Sequence, residues 1–554
     1  MTTDANNPLP LSWTPSSYWD GNDGLWNTFI VSVGTPPQNF RVLPATSGQE
    51  TWLPNPEGCT TADPSDPGYC GYLRGTLPFN QANSSGFQTN ESSTWDLIGP
   101  YELDAVELEL GYTGNGLYGF DTVVLENSSS TVNQTKQVVA SVPDLDFWLG
   151  VVGLGPKSIN FTTFNQPLSS YLSDLVANDT IPSLSWGYTA GAHYRNETPA
   201  SLTLGGYDVN RFEATNLTIA MNADNSRPLQ VGVQKIIAEN TLGGSAVNVL
   251  PTATYHLIDS TVPHIWLPDD AVDSFVANFG LTYDNNTDLF LINDTMRQRM
   301  LTLNPTITFV LGSSSESGSG GNTQNIQLPY AAFDLQASYP FYQNATNYFP
   351  IRRAANSTQY TIGRTFLQEA YLIADFDRGN FTVAQTSFSD LAVQQLVAIQ
   401  RPVASNSSTN STSAGKSNAV TGGEIAGIVV GAVAGLTAIG LLVWYFLRRS
   451  KRTHARLATT EPVDTETVFP AEKKDSMSYN YRGSELPSEN GLVEASDKNR
   501  DPSELPSNTG LLGSEMEGDM GRLRGRPGMV EAAGDEQRRF ELPGSEPEPR
   551  IAGR

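Results

Sequence analysis

Cysteine, histidine and basic residues are scarce in this chain of 554 residues: two Cys, four His, and 33 Lys plus Arg against 58 Asp plus Glu. Two cysteines, Cys59 and Cys70, exclude a dense disulfide framework and leave two readings, separate buried thiols or one bridge closing a short loop. The histidines, His193, His256, His264 and His454, show no metal-ligand spacing, and no metal or other cofactor is implied. The first 447 residues hold 16 basic against 38 acidic residues, a net of −22. That is too acidic for a nucleic-acid partner, which wants a basic face, and it suits an acidic extracellular or vacuolar medium. No Gly-x-Ser-x-Gly elbow, phosphate loop or dinucleotide fingerprint occurs, and the Gly/Ser-rich run 312–321 reads as a surface loop. The first 25 residues contain no basic n-region and no apolar stretch of about 7 to 15 residues, so no signal peptide is visible. Since the features below predict export, a processed or truncated N-terminus is expected.

Long apolar runs are also absent, with one exception. Residues 425–447, IAGIVVGAVAGLTAIGLLVWYFL, form a charge-free run of 23. At about 1.5 Å per residue it spans roughly 34 Å, enough for a bilayer core of about 30 Å. Arg448, Arg449, Lys451 and Arg452 follow at once, which predicts a single-pass protein of the cell membrane with its C-terminus in the cytoplasm. Fifteen Asn-x-Ser/Thr sites precede this run and none follows it: Asn83, Asn90, Asn127, Asn133, Asn160, Asn178, Asn196, Asn216, Asn285, Asn293, Asn344, Asn356, Asn380, Asn406 and Asn410. N-glycans are added on the lumenal side, so the asymmetry agrees with the charge rule and predicts an extracellular glycoprotein ectodomain. Gly427, Gly431 and Gly435 recur at four-residue spacing and offer a smooth face for self-association within the bilayer.

The segment before this helix, 396–424, is a Ser/Thr/Asn-rich stalk, and residues 448–554 read as a disordered tail. The tail repeats Glu-Leu-Pro at Glu485-Leu486-Pro487, Glu504-Leu505-Pro506 and Glu541-Leu542-Pro543, a pattern that could dock a cytoplasmic partner. Upstream, residues 25–395 show many short β-branched and aromatic runs broken by Gly, Pro and Asn, which predicts an all-β body. Helical pattern is confined to Leu168–Val176 and Asp269–Phe279; Asp269 and Asp270 suit the positive end of the second helix.

The run Phe29-Ile30-Val31-Ser32-Val33-Gly34-Thr35-Pro36-Pro37-Gln38, followed by Ala45-Thr46-Ser47-Gly48 and Trp52, resembles the opening of the pepsin-like aspartic protease (peptidase A1) family. In that family the place of Ala45 is taken by the first catalytic aspartate. The resemblance continues in order through Glu91–Trp95, Asp121-Thr122-Val123, Val151-Val152-Gly153-Leu154-Gly155, Ser201–Gly206 and Ile362–Leu367 with Ala374–Asp377. It implies a bilobal fold with an N-terminal segment (1–24), an N-terminal lobe (25–200) and a C-terminal lobe (201–395), followed by the stalk, membrane helix and tail. It also implies that Cys59 and Cys70 are bridged, that Tyr112 is the tyrosine of the flap, in a hairpin about three residues shorter than usual, and that Asp259 occupies the second catalytic position. The chain thus looks like a fungal-type, membrane-anchored member that has lost its first catalytic aspartate.

Peptide hydrolysis by this chemistry needs two carboxyls sharing a proton, one activating water and the other polarising the carbonyl. Ala45 can do neither. Glu50 would need its loop to fold back, and Asp20 and Asp23 precede the strand, so none is expected to substitute. Ser47 and Thr261 stand where the family has glycine, and a β-branched Thr261 is poorly suited to positive φ. The expected function is a proteolytically inactive, membrane-anchored, protease-like glycoprotein whose cleft binds an extended peptide or glycan, or senses one. The rivals are an active membrane-bound aspartic endopeptidase and a structural cell-surface glycoprotein.

Overall fold

Phe29, Val31 and Val33 are fully buried on one strand, Trp26–Val33, which turns back through Gly34 into a second, Gln38–Ala45, also buried along nearly its whole length. Gly34 takes φ +89°, and a Cβ there would meet the Ser92 hydroxyl at 2.9 Å, so the turn needs glycine. The computed structural model describes residues 7–103, 106–126, 131–161, 165–316, 321–389 and 393–402. These residues form a mostly β body with few helices.

The first lobe is built on an eight-stranded sheet in the order Pro15–Asp20, Trp26–Val33, Gln38–Ala45, Gly150–Gly153, Thr51–Pro54, Thr131–Val142, Asn115–Glu126, Asp96–Glu102. The second lobe has a sheet running Thr323–Pro329, Thr306–Gly312, Gln230–Glu239, Thr254–Ile258, Thr361–Ile362, Ile265–Leu267, Ile351–Arg353. Each sheet contains two parallel pairs, and one of them delivers a loop to the centre of the molecule. Val42 to Ala45 run beside Gly150 to Gly153, and Leu257 and Ile258 run beside Thr361 and Ile362.

A third sheet belongs to both lobes. Its six strands lie in the order Leu11–Trp13, Ser201–Leu204, Ser185–Thr189, Ala370–Asp375, Asn380–Gln385, Thr218–Ala220, so the beginning, middle and end of the body are hydrogen-bonded into one layer. Trp13, Trp186, Tyr188, Leu202, Leu372 and Phe381 are buried in it.

The helix Asp269–Phe279 forms at its expected bounds and ends on Gly280 in the left-handed region. The other expected helix starts later, at Tyr171, because the Ser170 hydroxyl caps it by accepting from Ser173 N while Leu168 is drawn into a bridge with Ile159. A ten-residue helix at Asp294–Leu303 was not expected, and neither were the two short helices Pro56–Ala62 and Pro67–Leu73. The last two carry Cys59 and Cys70, which form the disulfide. No helix among the described residues is long and apolar enough to cross a membrane. The span 425–447, the tail, Gly427, Gly431, Gly435, His454, Asn406 and Asn410 all lie outside the described residues, as does Asn127. Twelve of the sequons lie within them, and ten of these asparagines are exposed; Asn160 and Asn380 are half-buried.

Candidate functional site

The pairs Val42 to Ala45 with Gly150 to Gly153, and Leu257 and Ile258 with Thr361 and Ile362, bring Ala45-Thr46-Ser47 and Asp259-Ser260-Thr261 face to face. Thr46 N donates to the Ser260 hydroxyl at 3.0 Å and Ser260 N donates to the Thr46 hydroxyl at 2.9 Å, a two-fold exchange between the lobes. The hydroxyls then cross to the opposite strand, Ser260 Oγ to Pro44 O at 2.5 Å and Thr46 Oγ1 to Ile258 O at 3.3 Å. Beneath the first loop, Gly153, Leu154 and Gly155 donate to the carbonyls of Glu50, Ala45 and Gly48. Beneath the second, Asp259 N reaches Ile362 O and Arg364 N reaches Val262 O. A Cβ on Gly153 would come within 2.5 Å of Gln49 N, and one on Gly363 within 2.4 Å of Val262 O, so these threads require glycine.

Ala45 and Asp259 hold equivalent places at the roots of these loops, and both are buried. The Ala45 methyl lies 3.3 Å from where a Cβ on Gly48 would stand. Asp259 Oδ1 accepts from Thr261 N at 2.9 Å and from the Ser47 hydroxyl at 2.8 Å. Ser47 and Thr261 take backbone conformations with no positive φ, and their hydroxyls meet at 3.1 Å.

The acid that comes to Asp259 is none of the three weighed in the sequence. Glu107, in the short 3-10 helix Val106–Leu110 between the hairpin strands, turns its side chain into the site and meets Asp259 at a shared Ser47 hydroxyl. Its Oε1 lies 2.8 Å from the Ser47 hydroxyl. Burial first, then the negative charge of Asp259, push the Glu107 carboxyl up to about 8. The proton inventory agrees. Ser47 has one hydroxyl proton for two carboxyl oxygens, each at 2.8 Å, so the second contact is made by an acid proton of the pair.

Glu50, Asp20 and Asp23, which were not expected to substitute, are engaged elsewhere. Glu50 accepts from Trp52 Nε1 at 2.9 Å and Tyr118 Oη at 3.2 Å; Asp20 pairs with Arg41 at 3.3 Å. Asp23 accepts from Trp26 Nε1 at 2.6 Å and pairs with Arg364 at 3.2 Å. Tyr112 lies over the site between the lobes, its hydroxyl 3.2 Å from His264 Nδ1 and its ring 6.0 Å from Phe147. Of the histidines, His256 and His264 are buried, and His193 lies beside Glu197 at 3.7 Å.

The segment carrying Glu107 closes the cleft. Leu110 packs with Val262, Trp266 and Ala354 of the second lobe, and Gln359 Nε2 donates to Glu109 O at 2.6 Å. Under Tyr112, between Thr261, His264 and Arg364, the remaining cavity is about 30 Å³, room for about one water. On the side of Ser47 facing Lys157, Met221 and Phe376 a recess of about 530 Å³ stays open.

The family model for eukaryotic aspartyl proteases matches residues 28–386. The chain belongs to that family. Its relatives include Secreted aspartic protease 3 of Candida albicans, 21% identical over 366 residues that cover 65% of this chain and 79% of the relative. Secreted aspartic protease 9 of the same organism is 23% identical over 324 residues, covering 56% of this chain and 52% of that protein. Pepsin B of Canis lupus familiaris is 24% identical over 356 residues, covering 62% and 77%. Within this aspartyl protease-like domain the paired loops and their threads are complete, and the Glu107–Asp259 contact was missed by sequence reasoning. The available signal was the three-residue spacing of Glu107 and Leu110, which puts both on the buried face of a 3-10 helix and leaves Glu109 exposed.

Proposed function

We propose that this protein is a membrane-anchored, glycosylated aspartic-protease-like ectodomain that does not cleave peptides and serves as a binding or sensing module for an extended peptide or glycan. The observation that carries this reading is the methyl of Ala45 at the root of the first loop, opposite Asp259. A water held between two carboxyls on the floor of the cleft has no second carboxyl there. Removing one member of a unit that acts together removes most of its rate, because such losses are far from additive. The apolar run at 425–447, its cationic C-terminal flank and the one-sided sequons support an extracellular ectodomain and a cytoplasmic C-terminus. The glycine spacing supports self-association in the bilayer, and the repeated Glu-Leu-Pro supports a cytoplasmic partner for the tail.

The Glu107–Asp259 contact favours a second reading, an endopeptidase in which Glu107 replaces the missing aspartate. Two carboxyls with one proton are what the chemistry requires. Against it, Glu107 hangs from the segment that occludes the cleft, so a peptide entering the site displaces the carboxyl meant to act on it.

Incubating the full chain in detergent micelles with denatured casein between about pH 3 and 5, the range in which such carboxyl pairs share a proton, decides between them. The expected result is no cleavage by wild type, Asp259→Ala or Glu107→Gln. Cleavage by wild type that is lost in Asp259→Ala overturns the first reading, and its further loss in Glu107→Gln establishes the second.

A further inference from the structure

Glu107 occupies the centre of the cleft as a ligand would. Its carboxyl is received beside Asp259 by the Ser47 hydroxyl, Leu110 fills an apolar seat, and Glu109 is tied by its carbonyl to Gln359 and by its carboxylate to the Thr358 hydroxyl at 3.3 Å. We propose that Val106–Leu110 is a proton-held plug: it seals the cleft while one proton lies between Glu107 and Asp259, and it lifts when that proton is lost, so that alkali opens the binding site. This inference rests on the binding and sensing reading and names what operates it.

The geometry makes the contact two-valued. With the proton present, two buried carboxyls form a hydrogen-bonded pair. Without it, two buried negative charges face each other across Ser47, a repulsion that buried like charges sustain poorly. The surrounding groups offer little to offset a second charge. From the first loop comes only the Ser47 hydroxyl, and from the second the Thr261 hydroxyl and N–H. On the flap side stand Tyr112, held by the buried His264, and Glu109, itself acidic. The arginines nearest the site are committed: Arg364 to Asp23 and the carbonyls of Ser260 and Thr261, Arg352 to Asp288 at 3.0 Å, and Arg227 to the carbonyls of Thr358 and Tyr360. Arg227 attracts Asp259 and Glu109 from a distance without bonding either. Burial and Asp259 hold the Glu107 proton up to about 8, which puts release within reach of mildly alkaline media. Beyond Glu107 the segment is held by Leu110 in its buried seat and by Glu109 at the exposed rim, a smaller hold than that of the sheets, so loss of the central contact lowers the protection of the segment while the sheets stay intact.

Hydrogen–deuterium exchange of the full chain in detergent micelles tests this at about pH 6 and about pH 9.5, either side of the transition, with labelling times scaled for the intrinsic pH effect. In wild type, protection of residues 106–112 should fall at least about tenfold at the higher pH, while the strand Ala370–Asp375 stays protected. Glu107→Gln keeps a donor for Asp259 and cannot ionise, so its plug should stay protected at both; Glu107→Ala should be open at both. The proposal is overturned if wild type keeps its protection, if Glu107→Gln opens as wild type does, or if the reference strand loses protection together with the plug. Casein cleavage by the same samples sinks the non-proteolytic reading without touching the plug, and a plug that ignores pH leaves that reading standing.

Discussion

Thr46 and Ser260 each give their backbone N–H to the other's hydroxyl, at 3.0 and 2.9 Å, and so fasten the two lobes at their closest approach. Both residues are buried, so removal of either hydroxyl leaves a buried N–H unmet. Thr46→Ala and Ser260→Ala should each destabilise the body by about 1–3 kcal/mol, and the double variant by less than the sum, measured by urea denaturation of the full chain. Full additivity would mean that the exchange is not a coupled unit.

Restoring an aspartate at position 45 should not be neutral. The site already holds the carboxyls of Glu107 and Asp259 away from water, and a third acid next to them must stay protonated or repel both. Ala45→Asp is expected to cost about 1–3 kcal/mol at neutral pH, with most of the loss recovered by adding Glu107→Ala. A double-mutant cycle reads the coupling, and a coupling near zero would place Glu107 outside the site.

Stability should decline on both sides of a maximum. Glu107 is raised from 4.5 to about 8 in the fold, so between these values the folded chain binds more protons than the unfolded one, and stability falls as pH rises. His256, stacked on Tyr360 and neutral because burial lowers it to about 3, works in the other direction: the unfolded chain protonates first, and stability falls as pH drops from 6.5 towards 3. Thermal melts across this range should flatten on the alkaline limb in Glu107→Gln and on the acid limb in His256→Gln. An unchanged slope in either variant refutes that assignment.

The Cys59–Cys70 bridge closes a separation of 11 residues between two short helices. Each helix has only seven residues and needs a partner to persist. Replacing both cysteines by alanine should cost about 2–4 kcal/mol, seen as a lowered urea midpoint; a shift below experimental error would show that the loop is held by Arg74 instead. Arg74 is the competing clamp because its guanidinium donates to the carbonyls of Pro143, Asp144, Phe147 and Trp148.

Much of the body was legible because its signals are local. Gly34, Gly153 and Gly363 sit where the backbone tolerates no Cβ, and the helix at Asp269–Phe279 has its acidic start and glycine stop in the sequence itself. The helix at Asp294–Leu303 was missed because its apolar face is thin, with Met300 alone buried. Glu107 was missed for a different reason. Its distance from Asp259 along the chain says nothing about their meeting, which depends on how far the hairpin leans and on Leu110 finding Val262, Trp266 and Ala354 in the other lobe. Proximity in sequence offered Glu50, which was not expected to reach the site, and Trp52 and Tyr118 hold that residue in place.

The strand Ser185–Thr189 has Ser201–Leu204 on one side and Ala370–Asp375 on the other. Neither half of the body is therefore a portable unit. A fragment ending near residue 200 would expose a bare hydrogen-bonding edge with Trp186 and Tyr188 beside it, the kind of surface that recruits other chains into aggregates. A nick in the exposed connection between the halves, by contrast, would leave them clasped, and such a molecule should run as two bands under denaturing conditions and as one species in native buffer.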